Sequence, residues 1–105
     1  MKEGVRIYIM KKFFVYMMAS KLYGTIYTGM SSELVQRIYQ HKNGTFDGFT
    51  KQYNVNRLVW YEAHDNAESA IRRERQIKEW KRDWKIKLIE DENPTWRDLY
   101  EDICK

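Results

Sequence analysis

The stretch Phe13-Phe14-Val15-Tyr16-Met17-Met18-Ala19, with Thr25-Ile26-Tyr27-Thr28-Gly29-Met30 after it, decides the fold. The first run is aromatic, branched and methionine-rich over a length suited to a buried strand. Lys21-Leu22-Tyr23-Gly24 reads as a turn, with glycine where a positive φ is expected. Two strands this close in sequence form an antiparallel hairpin. Counting by twos, Phe14, Tyr16 and Met18 share one face, and Thr25, Tyr27 and Gly29 share one on the partner. A turn centred near residues 21 and 22 sets Tyr16 opposite Tyr27. Cross-strand tyrosines are ordinary sheet filler. A glycine inside a strand, by contrast, marks close approach of a ligand or another backbone.

Working outward, Ser31-Ser32 offers N-cap hydroxyls for a helix from Glu33, with Leu34, Val35, Ile38 and Tyr39 as its apolar stripe and Asn43-Gly44 as its end. Thr45 to Asn56 reads as a loop, and Arg57 to Glu62 as a third strand. Asp65 with Glu68 three residues on makes a capping box for a second long helix, reaching about Trp80. Asp83 caps a shorter one through Ile89, and Asn93-Pro94-Thr95-Trp96 forms a turn that docks a tryptophan. The order β-β-α-β-α-α predicts an α+β fold, a small three-stranded antiparallel sheet flanked by helices. Residues 1–11 read as an N-terminal extension, 12–99 as one domain and 100–105 as a C-terminal tail.

The 105 residues allow one modest core. No apolar run is long enough to span a bilayer, and Phe13–Ala19 lacks the cleavage site of a signal peptide. The lone Cys104 has no partner for a disulfide within the chain, which fits a reducing cytoplasm. A net charge of +4 and a pI near 9.2 favour an acidic partner, nucleic acid first. The charge is also polarised: between Arg72 and Lys87 eight Lys/Arg stand against three Asp/Glu, whereas acids dominate from Glu90 onward.

Three groups of polar residues break their local pattern. In the second long helix the stripe Ala67, Ala70, Ile71, Ile77 is interrupted by Glu74. A carboxylate there either pairs with a neighbouring cation or ligates a divalent metal, because burying it bare is costly. On the first helix Arg37 and His41 lie one turn apart. Such a pair is either a solvated helix face or a means to hold a phosphate and move a proton. The hairpin tyrosines with Gly29 are the third group.

Together these residues resemble the GIY-YIG nuclease superfamily, in particular its small standalone bacterial members similar to the N-terminal nuclease domain of the UvrC excinuclease. The first motif stands as Phe14-Val15-Tyr16 and the second as Tyr27-Thr28-Gly29, followed by Leu34-Val35-Gln36-Arg37-Ile38-Tyr39-Gln40-His41 and by Glu74. Asn93-Pro94-Thr95-Trp96-Arg97-Asp98-Leu99 is similar to the tail of that branch. The motif glycine and isoleucine are replaced by Phe14 and Val15, and the second isoleucine by Thr28. Relatives carry a catalytic-site asparagine after the glutamate. Here that region holds Trp84 to Leu88, and the role is not transferred to Asn93.

The resemblance implies phosphodiester hydrolysis assisted by one divalent cation, Mg²⁺ or Mn²⁺, held by Glu74. It implies that Arg37 neutralises phosphoryl charge, that Tyr16 is the first choice for the general base with Tyr27 orienting water or phosphate, and that His41 relays the proton. A tyrosine base needs a nearby cation, and Arg37, Lys21 and the metal are the candidates. Lys51, Lys78 and Lys81 are candidate phosphate contacts beside Lys21, and Trp80, Trp84 and Trp96 read as core. DNA is favoured over RNA, with DNA repair or recombination as the setting and a protein partner as a source of specificity. The alternative is a catalytically weak nucleic-acid-binding module, or a nuclease subunit that needs such a partner.

Overall fold

The computed structural model describes residues 11–105; the expected N-terminal extension lies outside the described residues except for Lys11. Strands β1 (Phe13–Ala19), β2 (Ile26–Ser31) and β3 (Arg57–His64) form one antiparallel sheet in the order β2-β1-β3. The helices are α1 (Leu34–Lys42), α2 (Gly48–Gln52), α3 (Ala67–Glu79), α4 (Arg82–Glu92) and α5 (Tyr100–Ile103). This is the expected α+β architecture, with two short helices added.

The central strand β1 is buried on both faces, which explains why it reads as a continuous apolar run rather than an alternation. Val15, Met17 and Ala19 point to one side, where they pack with Ala70 and Ile77 of α3, Ile89 of α4 and Trp96. Tyr16 and Met18 point to the other, among Leu34 and Ile38 of α1, Val55 and Leu58, with Leu99, Tyr100 and Ile103 against them. Each apolar side chain so enclosed contributes about 1.5–3 kcal/mol relative to leaving it in water. The sheet is therefore sandwiched between two helical layers. β3 carries a bulge: Met17 pairs with Trp60 but Met18 with Leu58, so Val59 is the extra residue. The bulge puts Val59 and Trp60 in the same cluster although they are adjacent, and no alternation survives in the sequence there.

The hairpin register differs from expectation. Tyr16 pairs with Gly29, and Tyr27 pairs with Met18, a shift of two residues. A two-residue shift preserves the face, so the tyrosines remain diagonal neighbours, with ring centroids 6.3 Å apart. In the turn, Tyr23 rather than Gly24 takes the positive φ, 58°. Gly24 is required for space instead: a Cβ there would lie 2.2 Å from Ser20 Oγ. The α1 stripe is narrower than expected, since Leu34, Ile38 and His41 are buried while Val35 and Tyr39 are exposed.

Several ends also move. Ser31 Oγ accepts from Glu33 N, but α1 starts at Leu34 without a side-chain cap. Asn66 rather than Asp65 caps α3, its Oδ1 accepting from Ser69 N at 2.8 Å, while Asp65 pairs with Lys12. Helix α4 runs on to Glu92 and has no side-chain cap. The Asn93–Trp96 turn docks Trp96 as expected: its ring is fully buried, and Nε1 donates to Glu90 Oε2 at 2.9 Å. Trp80 packs against the core, but Trp84 is 58% exposed, contrary to its core reading. Residues 100–103, expected in a tail, form α5 and pack on the Tyr16 face.

Candidate active site

Gly29 has no room for a side chain. A Cβ on it would meet Tyr16 Oη at 2.5 Å and Cζ at 2.6 Å, with the Tyr27 ring at 3.0 Å. The close approach at this glycine is made by the phenol of Tyr16 rather than by the expected ligand or backbone, and Tyr16 is fully buried. The backbone of an edge strand serves as the floor for a tyrosine hydroxyl.

From there a hydrogen-bonded run leads into α1 and α2. Tyr16 Oη lies 2.8 Å from His41 Nε2, and His41 Nδ1 lies 3.0 Å from Thr50 Oγ1. Thr50 Oγ1 donates to the Asp47 carbonyl at 3.0 Å, which leaves the oxygen to accept from His41. That fixes the tautomer: Nδ1 carries the proton, and Nε2 accepts from the Tyr16 hydroxyl. Burial pushes His41 down to about 4, so the ring is neutral near pH 7 and its Nε2 lone pair faces the phenol. Burial also raises the Tyr16 hydroxyl well above the ordinary phenol range; the neighbouring Tyr27 adds to this, and Arg37 opposes it. Lys21, in the β1–β2 turn, is not among the groups that act on Tyr16.

Tyr27 has its own acceptor, donating to Asp47 Oδ2 at 3.3 Å. Burial, and then the Asp47 charge, hold its hydroxyl up to about 12. Asp47 also caps α2, Oδ1 accepting from Phe49 N at 2.7 Å and Thr50 N at 3.3 Å. The Arg37 guanidinium lies over the Phe46 ring, 3.9 Å from its centroid, and the same ring meets His41 edge-on at 4.9 Å. Phe46 therefore holds the arginine and the imidazole together. The expected loop from Thr45 to Asn56 is in fact a capped helical turn that completes this cluster. Asp47, Thr50 and Phe46 were not singled out from the sequence; the signal for Asp47 and Thr50 was the Asp-x-x-Thr spacing of an N-cap.

Glu74 lies on α3, which packs along the edge strand β2, and its charge bears on both phenols. Its side chain is 20% exposed and pairs with Lys78 at 2.9 Å, so the ion partner is a lysine one turn on rather than an arginine. The described residues contain no group of three or more His, Cys, Asp or Glu able to hold a metal. One half-buried carboxylate fits a hard cation such as Mg²⁺, which keeps several waters and takes further oxygens from a phosphate. Glu74 would hold such an ion, and the ion would supply charge neutralisation at a scissile phosphate.

The candidate phosphate contacts scatter. Lys78 is engaged by Glu74, and Lys51 lines a polar depression of about 180 Å³ together with His41. Lys21 sits in the hairpin turn, and Lys81 at the start of α4. Asn93 is spent structurally: Nδ2 donates to the Val59 and Arg97 carbonyls, and Oδ1 accepts from Arg97 N. A depression of about 380 Å³ between Phe14, α1 and Ile103 contains none of the candidate residues.

The model of the GIY-YIG catalytic domain matches residues 12–87, and the chain belongs to that family. A UPF0213 protein of Staphylococcus saprophyticus is 35% identical over 82 residues, covering 78% of this chain and 99% of its own. One from Staphylococcus epidermidis is 33% identical over the same lengths. The solution NMR structure of a UPF0213 protein from Bacillus halodurans matches with a TM-score of 0.53 at 26% identity, covering 84% of this chain and 93% of the other. The nuclease family implies a nucleic-acid substrate. No helix among the described residues is long and apolar enough to cross a membrane.

Proposed function

We propose that this protein is a Mg²⁺- or Mn²⁺-dependent endonuclease acting on DNA ahead of RNA, with Tyr16, Tyr27, Arg37, His41 and Glu74 as its site. The observation that carries this reading is the run from Tyr16 Oη through His41 to Thr50, with the Arg37 and Glu74 charges both acting on Tyr16. As an attacking water loses its proton to Tyr16 Oη, the phenol proton passes to His41 Nε2. The transfer leaves no free phenolate on Tyr16, and the imidazolium it forms, which burial disfavours, is supported by the Asp47 charge. Tyr27, anchored on Asp47, orients the water or the phosphate. Arg37, held flat by Phe46, neutralises charge developing on the phosphoryl oxygens. Glu74, paired with Lys78 in this structure, would hold the cation. The exposed Cys104 is compatible with work in a reducing cytoplasm, and DNA repair or recombination is the proposed setting.

A second reading, a binding module or a subunit completed by a protein partner, is favoured by two observations: the Tyr16 side chain is fully covered, and Glu74 is ion-paired. Incubating the protein with duplex, flap, branched and single-stranded DNAs, with Mg²⁺ or Mn²⁺, separates the two. Cleavage of at least one substrate supports the enzyme; binding without cleavage under every condition supports the module.

A further inference from the structure

Three aromatic side chains beside the site belong to neither apolar cluster: Phe46, Phe49 and Tyr53. Phe46 has a partner in Arg37. Phe49 and Tyr53 do not close over anything, and remain 43% and 47% exposed. They continue a row that starts at Tyr27, with centroid spacings of 6.2 Å from Tyr27 to Phe49 and 4.8 Å from Phe49 to Tyr53. The helix that carries the row is capped by Asp47, and Tyr53 N returns to the Phe49 carbonyl. Gly48 leaves bare space beside Phe49, with nothing within 4 Å of where its Cβ would stand. Lys51 is exposed on the same short helix but on another face, with its stem against Gly44.

Exposed rings in a row, running up to Tyr27 of the proposed site, suit one chemistry. Unpaired bases stack on aromatic faces, and base stacking tolerates any sequence. Bases inside a duplex present only their edges, so such a row gains little from paired strands. Resting on the nuclease reading only for the neighbouring site, we propose that Phe49 and Tyr53 form a stacking platform for unpaired nucleobases. The platform makes single-stranded nucleic acid, or the unpaired arm of a branched one, the substrate class delivered to Tyr27 and Tyr16.

The test is binding by fluorescence anisotropy in EDTA, where no cleavage is needed. The probes are labelled strands of about 15 nucleotides: oligothymidylate, oligouridylate, an abasic strand of the same charge, and a duplex. The platform predicts that a base-bearing strand binds about 10- to 100-fold tighter than the abasic one and tighter than the duplex. The tighter of the two base-bearing strands identifies DNA or RNA as the source. Phe49→Ala/Tyr53→Ala should abolish that advantage and leave abasic binding unchanged, and Phe49→Trp should retain it. Both positions lie outside the core, and a circular-dichroism melt checks folding; Tyr53→Ala alone serves if the double variant melts early. Equal binding of abasic and base-bearing strands, a preference for duplex, or folded alanine variants that bind like the parent would overturn the platform. Base-dependent binding in EDTA, with no cleavage of any substrate in Mg²⁺ or Mn²⁺, would leave the platform standing and sink the nuclease reading; cleavage in Mg²⁺ or Mn²⁺ without base-dependent binding would do the reverse.

Discussion

Thr50 Oγ1 holds His41 Nδ1 at 3.0 Å, and this contact decides which imidazole nitrogen faces Tyr16. Thr50 is a residue of a five-residue helix, yet it orients the proton acceptor of the proposed relay. Thr50→Val keeps the shape, removes the oxygen and leaves a buried N–H unpaired, which costs about 1–3 kcal/mol. Activity should fall by about 10- to 100-fold as the tautomer is released, while Thr50→Ser should retain most of it. Cleavage rates beside urea midpoints check the pair; equal rates for Thr50→Val and the parent would remove Thr50 from the mechanism.

Gly29→Ala is expected to destabilise by about 1–3 kcal/mol. Its Cβ would land on the Tyr16 phenol, pushing it from His41. Activity should drop by more than the stability loss explains. Tyr16→Phe/Gly29→Ala should recover part of the stability by shrinking the clash at Oη, and denaturation of the four proteins in the cycle measures this coupling.

Thr28 stands where the resembling motif has isoleucine, and its Oγ1 is buried with no hydrogen-bond partner. Thr28→Val replaces that hydroxyl with a methyl of similar shape and should stabilise the fold by about 1 kcal/mol. A lower thermal midpoint for the variant would show that the hydroxyl is satisfied.

His41 gives the fold a pH dependence. Its folded pKa lies near 4 and its unfolded value near 6.5, so between these the unfolded chain binds the extra proton. The stability contribution of the neutral ring is full above about 6.5 and is lost as pH falls towards about 4. Midpoints of urea denaturation should fall over that window, and less steeply in His41→Gln. Parallel curves for the two proteins would refute the depressed pKa.

The hairpin, the Arg37–His41 helix and Glu74 were legible because long elements carry periodicity, and a charge inside a stripe stands out against it. Residues 45–56 were not, because a five-residue helix spans less than two turns and its aromatics face outward, without a stripe to read. The two-residue register shift was invisible for a related reason. Parity of faces is written in the side chains, but the pairing depends on a turn whose positive φ falls on a tyrosine. At Asp65 and Asn66, two neighbouring residues each had cap chemistry, and the chain used Asn66. The bulge at Val59 removed the alternation that would have shown β3 to have two faces.

Glu74 bears on the central claim most directly, since its carboxylate is the proposed metal donor and its charge acts on both phenols. The decisive measurement is cleavage of supercoiled plasmid and of single-stranded oligonucleotides with Mg²⁺ or Mn²⁺, parent against Glu74→Ala, with folding checked by circular dichroism. The expected result is metal-dependent cleavage by the parent, abolished by EDTA, and a folded Glu74→Ala protein at least about 10³-fold slower. A folded Glu74→Ala protein that cleaves like the parent would contradict the account.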